Sequence, residues 1–188
     1  MRYGFKAQAE RIAAEARQAL GLSVIASLKP EQYAAHVNVH ILTVDELNLS
    51  DEAQRQLLVV DASSWSGMTI RESGLTGVFI NPTHSPERQS STMMHELSHV
   101  VLKHVPVRVD VSSAGILLVS EYSEDAEEEA NWLSGALLLP RDALLHYRGK
   151  SWTPERIRAH FGVSQEMYSW RIRMTGVEFQ MRRARVSV

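Results

Sequence analysis

The sequence has no cysteine in its 188 residues. That excludes disulfides and any thiolate metal site, so a metal bound by this chain must be held by His and carboxylate. The same absence fits a reducing cytoplasm, which is the expected location. No apolar run is long enough to cross a bilayer. The longest, residues 115–119 and 136–139, are strand- or helix-sized, and no membrane partner is expected. The opening Met1-Arg2-Tyr3-Gly4-Phe5-Lys6 lacks the apolar stretch of a signal peptide. Internal repeats and low-complexity linkers are absent, and net charge is only −2. The charge is unevenly spread, however: from Arg141 onward ten Lys/Arg stand against four Asp/Glu. Such a tail is either ordinary solvated surface or a face for an acidic partner or nucleic acid. What is present in quantity is apolar: 44% hydrophobic residues can build a core, and the length fits one domain with a small appendage.

Periodicity assigns the elements. Phe5, Ala9, Ile12, Ala16 and Leu20 form one stripe of a helix over residues 5–20, which Gly21 stops. Pro30 opens a short helix through His36. Val37, Val39 and Ile41 alternate with polar residues, as in a half-buried strand, and residues 57–60, 77–80 and 116–119 are further strand candidates. Ser63-Ser64-Trp65-Ser66-Gly67 reads as a turn or loop. Ser85-Pro86-Glu87 is a helix start, with a capping Ser, Pro at the first position and an acid in the first turn. This helix should reach about His104, with Met94, Leu97 and Val101 facing the core. Another helix begins near Ser123 and ends at Pro140.

The first of these strong helices carries His95-Glu96-Leu97-Ser98-His99. A four-residue spacing puts both imidazoles on one face, close enough to hold one ion, and neutral imidazole suits zinc (Zn2+). Glu96 is turned about 100° from its neighbour, so it reaches the site without being a ligand. That is the arrangement metal-assisted hydrolysis needs: zinc lowers the pKa of water and a carboxylate collects the proton. A catalytic zinc takes three protein ligands. His104 fails the extended motif, which has Gly three and His six residues after the second ligand; Leu102 and Val105 stand there, so His104 reads as a surface or supporting group. Six acids fall between Glu121 and Glu129. Most acids at a helix start face solvent and favour the helix dipole. Helical spacing groups Glu127 with Ala130, Asn131, Ser134 and Leu138, a small and then apolar face. Glu127 is therefore the choice of third ligand, with Glu128 and Glu124 as alternatives, and Asn131 can orient it.

These residues resemble those of the ImmA/IrrE family of bacterial and phage metallopeptidases, which have a zincin-like active site. The likeness runs over most of the chain. Residues 5–13 look like the family's opening helix. Asn81-Pro82 and Arg88 look like its approach to the metal helix. Residues 127–134 and Leu137-Leu138-Leu139-Pro140 are similar to the signatures Glu-x-Glu-Ala-Asn-x-Phe-Ala and Leu-Leu-Met-Pro, with Trp132-Leu133-Ser134 and Leu139 as mild departures. The resemblance implies that Glu127 is the third ligand, in agreement with the spacing. It also implies a substrate class: a helix-turn-helix repressor, whose cleavage relieves repression.

Toward the end, Thr153-Pro154-Glu155 starts a helix, Gly162-Val163-Ser164 turns, and a second helix follows through Met167, Trp170 and Arg173. This is the outline of a helix-turn-helix, and Arg171, Arg173, Arg182, Arg183 and Arg185 make DNA binding a second hypothesis. An interaction module of toxin–antitoxin type is a third. The expected architecture is α+β: a zincin-like core with a small antiparallel sheet over residues 1–147, and a helical, helix-turn-helix-like segment over 148–188. Tyr122, His84 and His104 are candidates by chemistry to donate a hydrogen bond to the developing oxyanion.

Overall fold

The computed structural model describes all residues except 48, 73–74, 112–116 and 187–188. Helix α1 (Phe5–Ala19) buries Phe5, Ala9, Ala13 and Ala16 and ends where Gly21 takes φ 68°. Helix α2 (Pro30–His36) leads through a left-handed Asn38 into a short strand, β1 (His40–Leu42). Helix α3 (Asp51–Arg55) follows and runs on into a π-helical turn, Gln56–Val60. That turn replaces the strand expected at residues 57–60. Ser50 caps α3, its Oγ accepting from the Ala53 N–H at 3.2 Å, and no turn residue separates Arg55 from Gln56. The β-branched Val59 and Val60 therefore stay 69% and 57% exposed, without a sheet to pack on.

Four further strands are β2 (Gly67–Glu72), β3 (Leu75–Ile80), β4 (Arg108–Val111) and β5 (Leu117–Glu121). The sheet order is β1-β3-β2-β5-β4. The run β3-β2-β5-β4 is antiparallel as expected, and β1 joins the β3 edge in parallel. Of the expected strand at 116–119, Ile116 lies outside the described residues. α4 (Pro86–Val101) lies on the sheet against β2 and β3, and α5 (Glu124–Leu138) packs on α4 and α1. Gly67 shows how tightly α4 sits: a Cβ there would lie 2.7 Å from Thr92 Cγ2 and 3.1 Å from Ile80 Cδ1.

Asn81 fixes the entry to α4. It is fully buried, its amide donates to the Ala62 and Trp65 carbonyls, and its Oδ1 accepts from the Thr83 backbone and hydroxyl. The helix itself starts as its sequence prescribes, with the Ser85 Oγ accepting from Arg88 N and Pro86 leading. It buries Met93, Met94 and Leu97 and ends at Val101, three residues earlier than expected.

Four helices follow: α6 (Arg141–Gly149), α7 (Pro154–Phe161), α8 (Gln165–Thr175) and α9 (Val177–Val186). Ile157, Phe161, Val163, Tyr168 and Val177 belong to the same buried cluster as Phe5, Leu97, Leu133 and Leu137. Each such side chain contributes about 2 kcal/mol of hydrophobic stabilisation. Two buried guanidiniums close the carbonyl end of α5. Arg17 donates to the Leu137 carbonyl at 2.6 Å, and Arg171 donates to that of Leu139 at 2.9 Å and pairs with Glu10. Positive charge at a helix C-terminus is also favoured by its dipole.

Candidate metal centre

α4 and α5 pack face to face, and their facing sides bring three ligating side chains together. His95 and His99, one helical turn apart, approach with Nε2 atoms 3.0 Å from each other. Glu127 reaches across from α5, with Oε2 3.2 Å from His95 Nε2 and Oε1 3.6 Å from His99 Nε2. One donor atom from each residue falls within 4.8 Å of the other two. The remaining acids are directed elsewhere: Glu128 pairs with the Met1 amine at 3.2 Å, and Glu124 is exposed in the first turn. Asn131, expected to orient Glu127, has an exposed side chain.

The protonation states suit a cation. Burial, reinforced by the charge of His95, lowers the His99 imidazole to about 3, so it is neutral with a lone pair to offer. A hydrogen bond from His95 holds Glu127 below the usual carboxylate range, so it is ionised. The His99 ring is 1% exposed, while His95 and Glu127 are 22% and 43% exposed. The cluster thus has a closed back and an open front. Two imidazoles, one carboxylate and an open side make a donor set that can hold one metal ion and leave a position free beside it.

Glu96 lies beside this cluster on the next flank of α4. Thr69, fully buried on β2, donates its hydroxyl to Glu96 Oε2 at 2.7 Å. Burial raises the Glu96 carboxyl, and the Thr69 bond opposes that rise. A carboxylate raised in this way is a better proton acceptor near neutrality, and the hydrogen bond fixes where its oxygens point. Sequence reasoning missed Thr69, because β2 lies in a stretch without strong alternation and the contact spans 27 residues.

His104 stands outside the three-residue cluster, but it is not a surface group. Its Nδ1 is 3.0 Å from Nδ1 of His99, and its Nε2 is 3.4 Å from Glu129 Oε2. Glu129 in turn takes the Arg2 guanidinium at 2.8 and 2.7 Å and the Arg2 backbone N–H at 2.9 Å, which holds its carboxyl down at about 2. Glu129 escaped sequence reasoning because it sits among exposed acids. One signal was present: helical spacing aligns it with Leu133 and Ala136, both buried.

Tyr122 stacks flat on His99, ring centroids 3.7 Å apart at 16°. Its hydroxyl is buried with no hydrogen-bond partner among the described residues, and burial followed by the Glu96 charge pushes it up to about 12. Of the three oxyanion candidates it alone combines a neutral donor with a place at the cluster. His84 lies ahead of α4, about 14 Å of helix before His95.

Of the arginines that suggest a basic face for the helix-turn-helix-like segment, Arg173, Arg182 and Arg183 are exposed and Arg171 is not. Arg171 is 0% exposed and belongs to the core. The exposed residues of α8 are Gln165, Glu166, Ser169, Arg173 and Met174, one acid against one base. The side chain of Arg185 lies outside the described residues. No described helix is long and apolar enough to cross a membrane.

No curated protein and no solved structure matches the chain. A family model does, the IrrE N-terminal-like domain of peptidases, over residues 20–173, a span that holds Thr69, Glu96, Glu129 and the whole His95–His99–Glu127 cluster. With that match over most of its length, the chain belongs to the ImmA/IrrE family of metallopeptidases.

Proposed function

We propose that the protein is a zinc-dependent endopeptidase that cuts a peptide bond in a regulatory protein. The observation that carries this is the open-fronted His95–His99–Glu127 cluster with Glu96 fixed beside it. In this reading the three residues of the cluster hold one zinc ion, which when bound supplies a Lewis acid that acidifies water and polarises a carbonyl. Glu96 takes the proton of the attacking water and delivers it to the leaving amine. Thr69 keeps the free oxygen of Glu96 turned toward the site. Tyr122 donates its hydroxyl to the oxygen on which negative charge develops.

The substrate in this proposal is a helix-turn-helix repressor, the class that the family resemblance implies, and the protein works in the cytoplasm. Residues 148–188 then serve as the part of the molecule that meets the substrate, outside the peptidase unit of residues 1–147. The test uses the purified protein and a helix-turn-helix protein encoded beside it. The wild type should contain one zinc per chain and cleave that protein. Glu96→Gln should retain the zinc and lose cleavage by at least ~100-fold, as expected for a missing general base. Undiminished cleavage by Glu96→Gln would refute the peptidase reading.

A further inference from the structure

His99 faces two ways. Its Nε2 points into the cluster, and its Nδ1 points away, 3.0 Å from Nδ1 of His104. Two features bring His104 there. Lys103 adopts a left-handed backbone (φ 55°), and the His104 N–H returns to the His99 carbonyl at 3.0 Å. The chain therefore curls under the end of α4 and presents one imidazole to the edge of another. His99, His104 and Glu129 have side chains only 1%, 9% and 6% exposed, so water does not substitute for these contacts.

We infer that His104 and Glu129 are positioning residues: together they set which ring nitrogen of His99 carries hydrogen and so leave the Nε2 lone pair facing the cluster. This rests on the metallopeptidase reading for its purpose, though not for its geometry. The hydrogens can be ordered from the far end. Both oxygens of Glu129 face the Arg2 guanidinium, and a carboxylate paired in this way only accepts. The hydrogen between Glu129 and His104 must then sit on His104 Nε2. A neutral imidazole carries a single N–H, so His104 Nδ1 is bare. Two Nδ1 atoms at 3.0 Å share one hydrogen, which therefore belongs to His99. With its N–H at Nδ1, His99 has a free lone pair at Nε2.

Tyr122 cannot do this job. By stacking on His99 it fixes the plane of the ring, but a 180° flip preserves that plane. Only a contact at the ring edge distinguishes the two flips, and His104 supplies it. An outer hydrogen bond of this kind orients a ligating imidazole and is typically worth 10–100-fold in metal affinity.

Two measurements test the inference. In the first, side-chain 15N–1H correlation spectra of the full-length metal-free protein, near pH 7.5, report the tautomer of His99 directly. The Nδ1–H form should dominate in the wild type, and the preference should be lost in Glu129→Gln. An Nε2–H form in the wild type overturns the inference. In the second, zinc affinity is measured by competition with a chromogenic chelator. His104→Ala and Glu129→Gln should bind zinc about 10–100-fold more weakly than the wild type. His104→Gln, whose amide can accept from His99 and donate to Glu129, should recover most of that loss. Equal affinity in all variants also overturns the inference, whatever their melting temperatures. A wild type that binds no zinc would instead sink the peptidase reading, and the tautomer spectrum would still decide the role of His104 and Glu129.

Discussion

Gly135→Ala should destabilise the protein although it places a better helix former in mid-helix. Alanine in place of glycine is worth about 1 kcal/mol in a helix interior. Here a Cβ would sit 2.5 Å from Cζ3 of Trp170, 2.9 Å from Cδ of Arg171 and 3.4 Å from Cη2 of Trp170. Ordinary carbon–carbon contacts begin near 3.5 Å, so the closest approach is about 1 Å too short. Trp170 is half-buried and can swing aside. Arg171 cannot, since its guanidinium is tied to the Leu139 carbonyl and to Glu10. Overpacking of this kind costs about 1–3 kcal/mol, and a charged hydrogen bond lost with it costs about 1.5–3. The steric loss exceeds the propensity gain, for a net of about 2 kcal/mol. In a domain of this size that lowers the melting temperature by roughly 4–8 °C. Urea unfolding measures the free energy, and Trp170→Ala supplies a cycle: the double variant should fall short of additivity by about 1 kcal/mol. A Gly135→Ala protein as stable as the wild type would refute the seating of α8 on α5.

Three further outcomes are expected. Thr69→Val should lower kcat about tenfold with unchanged zinc content, the effect of about 1–1.5 kcal/mol for a lost hydrogen bond to the base; an unchanged rate would remove Thr69 from the machinery. Glu127→Ala should release zinc during dialysis whereas Glu128→Ala should retain it, and the opposite result in metal analysis would shift the ligand by one residue. Because Arg2 depresses the Glu129 carboxyl from 4.5 to about 2, their pairing contributes stability in full above about pH 5 and loses it as pH falls toward 2. Glu129→Gln should therefore cost roughly 2 kcal/mol near pH 7, with a gap to the wild type that narrows below about pH 4 in thermal melts; a gap that widens on acidification would contradict that sign.

The parts of the site that were legible in the sequence are those set by local geometry. His95, Glu96 and His99 share one helix, and their directions follow from the helical repeat alone. Glu127 was legible because α5 exposes its acids on one side and turns small residues inward. Thr69 and Arg2 reach the site only through tertiary pairing, and no local pattern marks them. Glu129 looked like one more dipole-stabilising acid until its burial was seen. The misread turn at residues 56–60 has a similar origin: two valines and two leucines suggest a strand, but a capped helix already under way carried the chain past them. Among the arginines after 148, Arg171 misled in the opposite sense, since it is spent on the interior.

The two guanidiniums at the end of α5 have a consequence for how the chain folds. One is residue 17 and the other residue 171, so the helix bearing Glu127 is finished by the opening and closing stretches of the polypeptide. Such distant contacts raise contact order, and contact order slows folding. On a ribosome, α4 and α5 emerge together with α1 already made, but the Leu139 carbonyl stays without its arginine until α8 has left the exit tunnel. A shortened polypeptide that stops before residue 171 keeps every ligating and proton-transferring residue and loses the clasp that seats their helix.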